Sequence, residues 1–418
     1  MRVAIIGAGV QGLSLLVSLT EAGFDCIVFD AAHRIGGVWS KSLHVPYLSL
    51  QLASRHYRFP DFPWCKNVAR PSGERICEYL EAYVEQKCVS EHIILNAKIS
   101  NVCDKGSHCT FVVNDAHTLT ADIVICTGTA SIPKFDDLYR HHKQPVHTSD
   151  ITQRLLSESK GCKCVVIGGS KSAADAVYHF SAHGADTCWV ARRFNTFAEF
   201  DPSTTIPLSK VAKCLPSLVS GNHSCLFDLK IRDDGPVLVG SGNVLTREEY
   251  KVLKAAKTFR SAVKSVDLDA VTLTNDTVLR CDLLIVATGY HTNDCSVDIK
   301  HRHGGEFRRV IKAKGLANIL TTFGCINSHL YAQGMVSFLR SRSWERMPFN
   351  EWWHKHSHHN WGTGLYQIQY LCTSNGIRPY SVSNSERQSM LLKVSTSLIS
   401  ISVILLIIIC IFRRRFGK

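Results

Sequence analysis

The apolar positions of this chain fall into two blocks that share one order: strand, glycine turn, helix, strand. In the first, Val3-Ala4-Ile5-Ile6 is a continuous apolar run, as a strand buried on both faces of a parallel sheet requires. Residues 13–21 follow with apolar residues at helical spacing, Gly23 ends them, and Cys26-Ile27-Val28-Phe29 is the next strand. The second block repeats this with a strand at 164–167, a helix at 176–182, a strand at 188–190 and a closing strand at 283–287. Between the blocks, residues 41–160 predict loops, a helix near 72–87 and short strands ending at 123–126. Residues 271–273 and 277–279 around Asn275-Asp276 predict a hairpin at a sheet edge. The pattern is that of an α/β chain with two Rossmann-type dinucleotide-binding units, the second inserted in the first. The expected boundaries are 1–155, 156–290 and a return with a substrate-side segment at 291–390, followed by an apolar tail at 394–412.

The turns carry the chemistry. Gly7-Ala8-Gly9-Val10-Gln11-Gly12 joins the first strand to its helix. Gly7 suits the tight turn, Gly9 the approach of backbone to a pyrophosphate, and Gly12 close packing of helix on strand. The helix N-terminus then favours phosphate. Asp30 ends the second strand, where an acceptor for a ribose hydroxyl belongs. Just beyond it, Gly36-Gly37 ahead of Trp39 suits a backbone that passes close to a flat cofactor.

In the second turn, Gly168-Gly169-Ser170-Lys171-Ser172-Ala173, Ser170 and Ala173 stand where glycines are usual. Both are small, so Gly168, Ser170 and Ser172 still offer an approach for phosphate. The following strand ends in Ala191-Arg192-Arg193 rather than in an acid. A guanidinium at Arg192 matches a 2′-phosphate and selects NADPH over NADH; the competing reading is a solvated basic pair. Thr288-Gly289 after the closing strand mirrors Thr127-Gly128 in the first block.

The chain resembles the flavin-containing monooxygenases and their Baeyer–Villiger relatives. The resemblance rests on the turn at 7–12, Gly36-Gly37-Val38-Trp39, the stretch Phe59-Pro60-Asp61-Phe62-Pro63-Trp64, the turn at 168–175 and the strand and turn at 282–290. It implies FAD on the first turn and NADPH on the second, with dioxygen and a small nucleophilic molecule as the other reactants. A C4a-hydroperoxyflavin would deliver one oxygen atom to nitrogen or sulfur. Gln51, ten residues before Asp61, falls where the family has a polar residue at the flavin edge, and its implied role is catalytic. The family's F-x-G-x-x-x-H signature is altered, with His141 and Lys143 replacing its aromatic and glycine while His147 is kept. Two other activities stay open: ketone oxygenation of the Baeyer–Villiger kind, and a non-catalytic, membrane-tethered paralogue that binds dinucleotide only as structure.

Composition narrows the classes further. A net charge of +13 on scattered lysines and arginines, with no nucleic-acid-reading motif, excludes nucleic acid as the expected partner. The 17 cysteines form no CxxC pair, which fits a reducing compartment and speaks against a dithiol centre. His354, His356, His358 and His359 lack partners at metal-ligand spacing, so no metal is expected. Residues 394–412 carry no charge and are followed by Arg413-Arg414-Arg415. As a helix they would span about 28 Å, close to a bilayer core. The segment at 1–8 does not read as a signal peptide. These features predict a single C-terminal anchor in a lipid bilayer, with a cytosolic body at the endoplasmic reticulum.

Overall fold

The computed structural model describes residues 1–43, 45–50, 54, 57–127, 133–194, 197–199, 243–291, 299–300, 309–312 and 320–342. All lie in the compact unit Met1–Trp361. The early elements are β1 (Arg2–Ile6), α1 (Val10–Glu21), β2 (Asp25–Phe29), α2 (Gly73–Gln86), β3 (Ile93–Ile94), β4 (Ile99–Asp104), β5 (Cys109–Val113), β6 (His117–Ala121) and β7 (Ile123–Cys126). Next come β8 (Pro145–His147), α3 (Gln153–Glu158), β9 (Lys163–Ile167), α4 (Lys171–Ala182), β10 (Asp186–Ala191), β11 (Phe197–Glu199), β12 (Asn243–Leu245) and α5 (Arg247–Ala255). The chain continues through β13 (Lys257–Arg260), β14 (Val263–Asp267), β15 (Ala270–Leu273), β16 (Val278–Arg280), β17 (Leu283–Val286), β18 (Ile299–Lys300), β19 (Val310–Lys312) and α6 (Leu320–Arg340).

Two five-stranded sheets, each parallel throughout, form the frame. The first has the order β19-β7-β1-β2-β3 and the second β13-β10-β9-β17-β8. The apolar runs pair as their burial requires, with Val3 against both Cys26 and Ile123, and Val165 against both Cys188 and Leu284. The second sheet is built between β7 and β19, which are neighbours in the first, so the insertion expected from the sequence is present. The crossing falls earlier than residue 156, because β8 at Pro145–His147 already belongs to the second sheet. A three-residue edge strand opening on proline carries no apolar run that would mark it in the sequence.

Each parallel sheet has helices on one face and a smaller sheet on the other, antiparallel over β14-β15-β16 and mixed over β18-β4-β5-β6. On the first, Leu13, Leu16 and Leu19 of α1 pack with Ile76 and Leu80 of α2 and with Met335 and Phe338 of α6. Its opposite face is covered by β4, β5 and β6, where Ala4 and Val124 meet Val102 and Phe111. On the second, Ala173, Val177 and Phe180 of α4 fill the helical side. There the opposite face is covered by β14, β15 and β16, where Val165 and Leu284 meet Val271 and Leu273. The predicted hairpin forms as β15 and β16 but lies across a face of the parallel sheet instead of extending its edge. The buried side chains of its alternating pattern, Val271 and Leu273, face that sheet.

Helix α4 begins at Lys171, five residues before the start expected from apolar spacing, because its first turn contributes only Ala173 and Ala174 to the core. Among the described residues, no helix is long and apolar enough to cross a membrane. The apolar run at 394–412, the histidine run at 354–359 and Gln51 lie outside the described residues.

Candidate dinucleotide sites

The first turn is a steric device. Gly7 has φ +109°, a backbone that side chains avoid. A Cβ added at Gly12 would stand 1.8 Å from the carbonyl oxygen of Gly7, so only glycine lets α1 approach β1 this closely. Gly37 has φ +59°, and a Cβ there would lie 2.9 Å from the Cα of Gly9. The Gly36-Gly37 loop is therefore laid directly on the glycine turn, and it is Gly37 that must lack a side chain for that contact. Asp30 joins the two: its carboxylate accepts the Ala8 amide at 2.5 Å and the Ala32 amide at 2.8 Å. Each oxygen retains acceptor capacity for a further donor such as a ribose hydroxyl. Thr127 closes the turn from β7, its hydroxyl donating to the Ile6 carbonyl at 2.8 Å.

Trp39 has a structural partner in the fold. Its indole N–H donates to the Tyr57 hydroxyl at 2.8 Å, with the rings edge-on, and it packs at the border of the first core. It braces the loop, while Arg34 ties the same loop to Glu74 and Glu81 of α2 at 2.6 Å each.

The second turn reaches the same end by other contacts. Gly168 has φ +141°, and a Cβ on it would fall 2.3 Å from the Ala287 carbonyl oxygen. A Cβ at Gly169 would fall 1.9 Å from the carbonyl oxygen of Arg193. Ala173, at the position of the missing glycine, is wholly buried in the second core without such a clash. Ser170 and Ser172 are exposed at the mouth of α4, and Arg192 is exposed immediately after β10. The expected phosphate-facing residues are thus brought together at the carboxyl end of the second sheet. Trp189, unmarked in the local sequence pattern, has a buried indole N–H that donates to the Gly168 carbonyl at 2.6 Å and sets the turn.

The helix N-termini separate functional from structural ends. Helices α2, α3 and α5 are capped by Ser72, Thr152 and Thr246, each accepting a backbone N–H of its own first turn. Helices α1 and α4 have Gly9 and Ser170 at the cap and no side-chain bond there, although serine is a strong capping residue. Their first amides therefore have no side-chain acceptor at the cap, an arrangement that suits an anion. Beside the first turn, the Gln11 side-chain amide nitrogen is buried without a hydrogen-bond partner. Turn, acid, open amides and orphan donor together fit an anionic dinucleotide.

Thr288 and Gly289 do not repeat Thr127. The Thr288 hydroxyl donates to the Lys134 carbonyl, and the Lys134 amide donates to the Gly289 carbonyl at 2.8 Å. They clasp the crossing segment between the sheets. The altered signature is anchored in the same region by two histidines of one tautomer. His147 accepts the Ser149 amide on Nδ1, and its Nε2 donates to the Gly289 carbonyl at 3.1 Å. The buried His142 accepts the Gln144 amide on Nδ1, and its Nε2 donates to the Cys281 carbonyl at 3.2 Å. His141 and Lys143, the changed positions, are exposed. Nothing in the local pattern of residues singles out His142.

A polar joint links the two units. Arg70, from the first, pairs with the buried Glu249 of α5 at 2.9 Å and donates from Nε to the Leu50 carbonyl. Burial pushes the Glu249 carboxyl up, but Lys171, Arg70 and the Thr246 amide outweigh it and hold the group below its ordinary value. Lys171 is ion-paired with Asp175 one turn along α4. Among the described residues, no cluster of histidine, cysteine and carboxylate side chains could hold a metal, and the described cysteines are free thiols.

Residues 4–213, about half of the chain, match the pyridine nucleotide-disulphide oxidoreductase family. A 4-hydroxybenzoate brominase (decarboxylating) of Marinomonas mediterranea is 27% identical over 50% of this chain and 43% of its own length. Flavin-containing monooxygenase 3 of Macaca mulatta is 27% identical over 46% of this chain and 40% of its own. The chain thus spans less than half the length of these curated relatives. The solved structure of OTEMO in complex with FAD and NADP superposes with a TM-score of 0.60 over 82% of this chain and 85% of that one; at 13% identity the likeness is one of fold. With its two parallel sheets, two uncapped glycine turns and this match, the chain belongs to the pyridine nucleotide-disulphide oxidoreductase family.

Proposed function

We propose that this chain is an FAD- and NADPH-dependent monooxygenase that oxygenates a nitrogen or sulfur atom of a small organic substrate. The observation that carries the reading is the pair of uncapped glycine turns, one with an acid at the ribose position and the other with an exposed arginine there. FAD belongs on the first turn, where Gly7 and Gly12 shape the cradle, Asp30 takes a ribose hydroxyl and Gln11 has a buried donor to offer. NADPH belongs on the second, with its pyrophosphate at the α4 amides and its 2′-phosphate at Arg192. The names of relatives support this: flavin-containing monooxygenase for one, and FAD with NADP in the structure of another.

Held by the turn at Gly7–Gly12 and Asp30, FAD would supply the capacity to take a hydride from NADPH and to pass electrons to dioxygen. The residues of this chain bind and orient both dinucleotides, and the crossing segment clasped by Thr288, His142 and His147 sets the spacing of the two turns. Gln51 is the proposed polar contact at the flavin edge, and 394–412 the proposed bilayer anchor with the body on the cytosolic side of the endoplasmic reticulum. The test is the visible spectrum of the purified full-length protein before and after NADPH under air. A flavin band that NADPH bleaches and air restores, with NADPH consumption rising on addition of a tertiary amine or thioether, is the expected result. Protein that folds without flavin, or flavin that NADPH cannot bleach, overturns it.

A further inference from the structure

Tyr47 comes from the first unit, yet its side chain packs against the core of the second. Its ring stacks on His179 of α4, with centroids 4.4 Å apart and planes 15° from parallel. Asp175 and Tyr290 are its polar neighbours beyond the ring. Asp175 lies one helical turn after Lys171 at the mouth of α4, and Tyr290 directly follows Thr288-Gly289. The ring therefore carries its hydroxyl toward the carboxyl end of the second sheet, beside the second glycine turn. The segment that bears it is braced by Arg70, which holds the Leu50 carbonyl and Glu249 together.

The Tyr47 hydroxyl is buried and has no hydrogen-bond partner. The nearby Asp175 carboxylate is committed to Lys171. Buried polar groups almost always find partners, so an orphaned donor beside a ligand-shaped turn points to an acceptor on the ligand. Burial, with Asp175 and Tyr290 adding to it, holds the phenol protonated, well above the ordinary tyrosine range, so the group remains a donor.

We propose that Tyr47 completes the second dinucleotide site from the first unit, donating its hydroxyl hydrogen bond to a phosphate or ribose oxygen of the nicotinamide dinucleotide. The assignment rests on the second turn binding NADP, as proposed above. Its consequence is that the bound dinucleotide bridges both units, since one hydrogen bond comes from each side of the joint.

The test titrates FAD-loaded full-length protein with NADP⁺ by calorimetry, comparing wild type with Tyr47→Phe, and melts both with and without NADP⁺. Phenylalanine keeps the stack and removes only the hydroxyl. The expected result is an NADP⁺ affinity about tenfold weaker, with FAD content unchanged and the melting temperature without NADP⁺ unchanged or raised. His179→Phe, which keeps an aromatic partner for the ring, is expected to leave NADP⁺ affinity within about twofold. Unchanged affinity in Tyr47→Phe, or an equal loss in His179→Phe, would show a packing role and overturn the assignment. A wild type that holds FAD but does not bind NADP⁺ overturns the second-site reading and this assignment with it.

Discussion

In the first unit the tightest contact joins Gly12 of α1 to the carbonyl oxygen of Gly7; in the second it joins Gly169 to the carbonyl oxygen of Arg193. The first pinch is between helix and strand, inside the turn. The second is between the turn and the end of the next parallel strand, and the helix meets the sheet through Ala173 with room for its methyl group. A departure from the glycine pattern in the second turn is therefore a relocation of the close contact. It places the Gly169 backbone against the residues that present Arg192. The two turns are built to the same end, an uncapped helix over a glycine bend, but a substitution in each should fail differently.

The largest effect is expected at Gly12→Ala. Its methyl would collide with main-chain oxygen, which cannot turn aside, so a loss of about 3 kcal/mol or more and of bound flavin should follow. Ala173→Gly, the matching exchange in the second turn, should cost about 1 kcal/mol through helix propensity and leave flavin bound. Thermal melting and flavin content measure both; equal behaviour of the pair would erase the contrast. Next in size is Gly169→Ala, expected to retain FAD while weakening NADP⁺ at least about tenfold, because the strand end carrying Arg192 must move. Loss of FAD in this variant would mean that the two turns do not fail separately. Arg192→Ala should then raise the KM for NADPH about tenfold while that for NADH stays put, since only the former has a 2′-phosphate to lose. A parallel rise for both cofactors would return Arg192 to the solvent.

The smallest effects concern pH at the joint. His179 is lowered from its ordinary value by burial, which Asp175 and Glu249 oppose. A depressed histidine contributes stability above its unfolded value, near 6.5, and loses it as pH falls through the lower folded value. Glu249 is depressed as well, so its contribution is present above the ordinary glutamate value, near 4.3, and is lost on further acidification. Urea midpoints against pH should therefore flatten below about 6.5 in His179→Gln and below about 4.3 in Glu249→Gln. Unaltered profiles would remove the joint from the acid response.

Much of this could be read from residue order. The runs at 3–6, 26–29, 164–167 and 283–286 are strands because a sheet covered on both faces needs unbroken apolar sequence, and such runs register in a window of a few residues. The tight bend at Gly7 and the close helix–strand approach at Gly12 were legible because the turn geometry is local, whereas the Asp30 bond to the Ala8 amide was not. Trp39 was legible as a bulky residue after two glycines, but its partner Tyr57 was not, being a matter of packing. His142, Trp189 and Glu249 gave no local signal, since each acts on a carbonyl or cation far along the chain.

The sequence by itself determined the two parallel-sheet units, their nesting and the positions of both glycine turns, because strand burial, helical spacing and glycine's freedom are properties of neighbouring residues. The tertiary structure alone decided that the hairpin at β15 and β16 covers a face, that the chain crosses at β8, that Gly169 takes over the close contact, and that Tyr47 leaves one unit to stand in the other. Those outcomes depend on which surfaces and carbonyl groups meet after the chain folds back on itself, and contacts between residues outside a short window leave no mark in a local pattern.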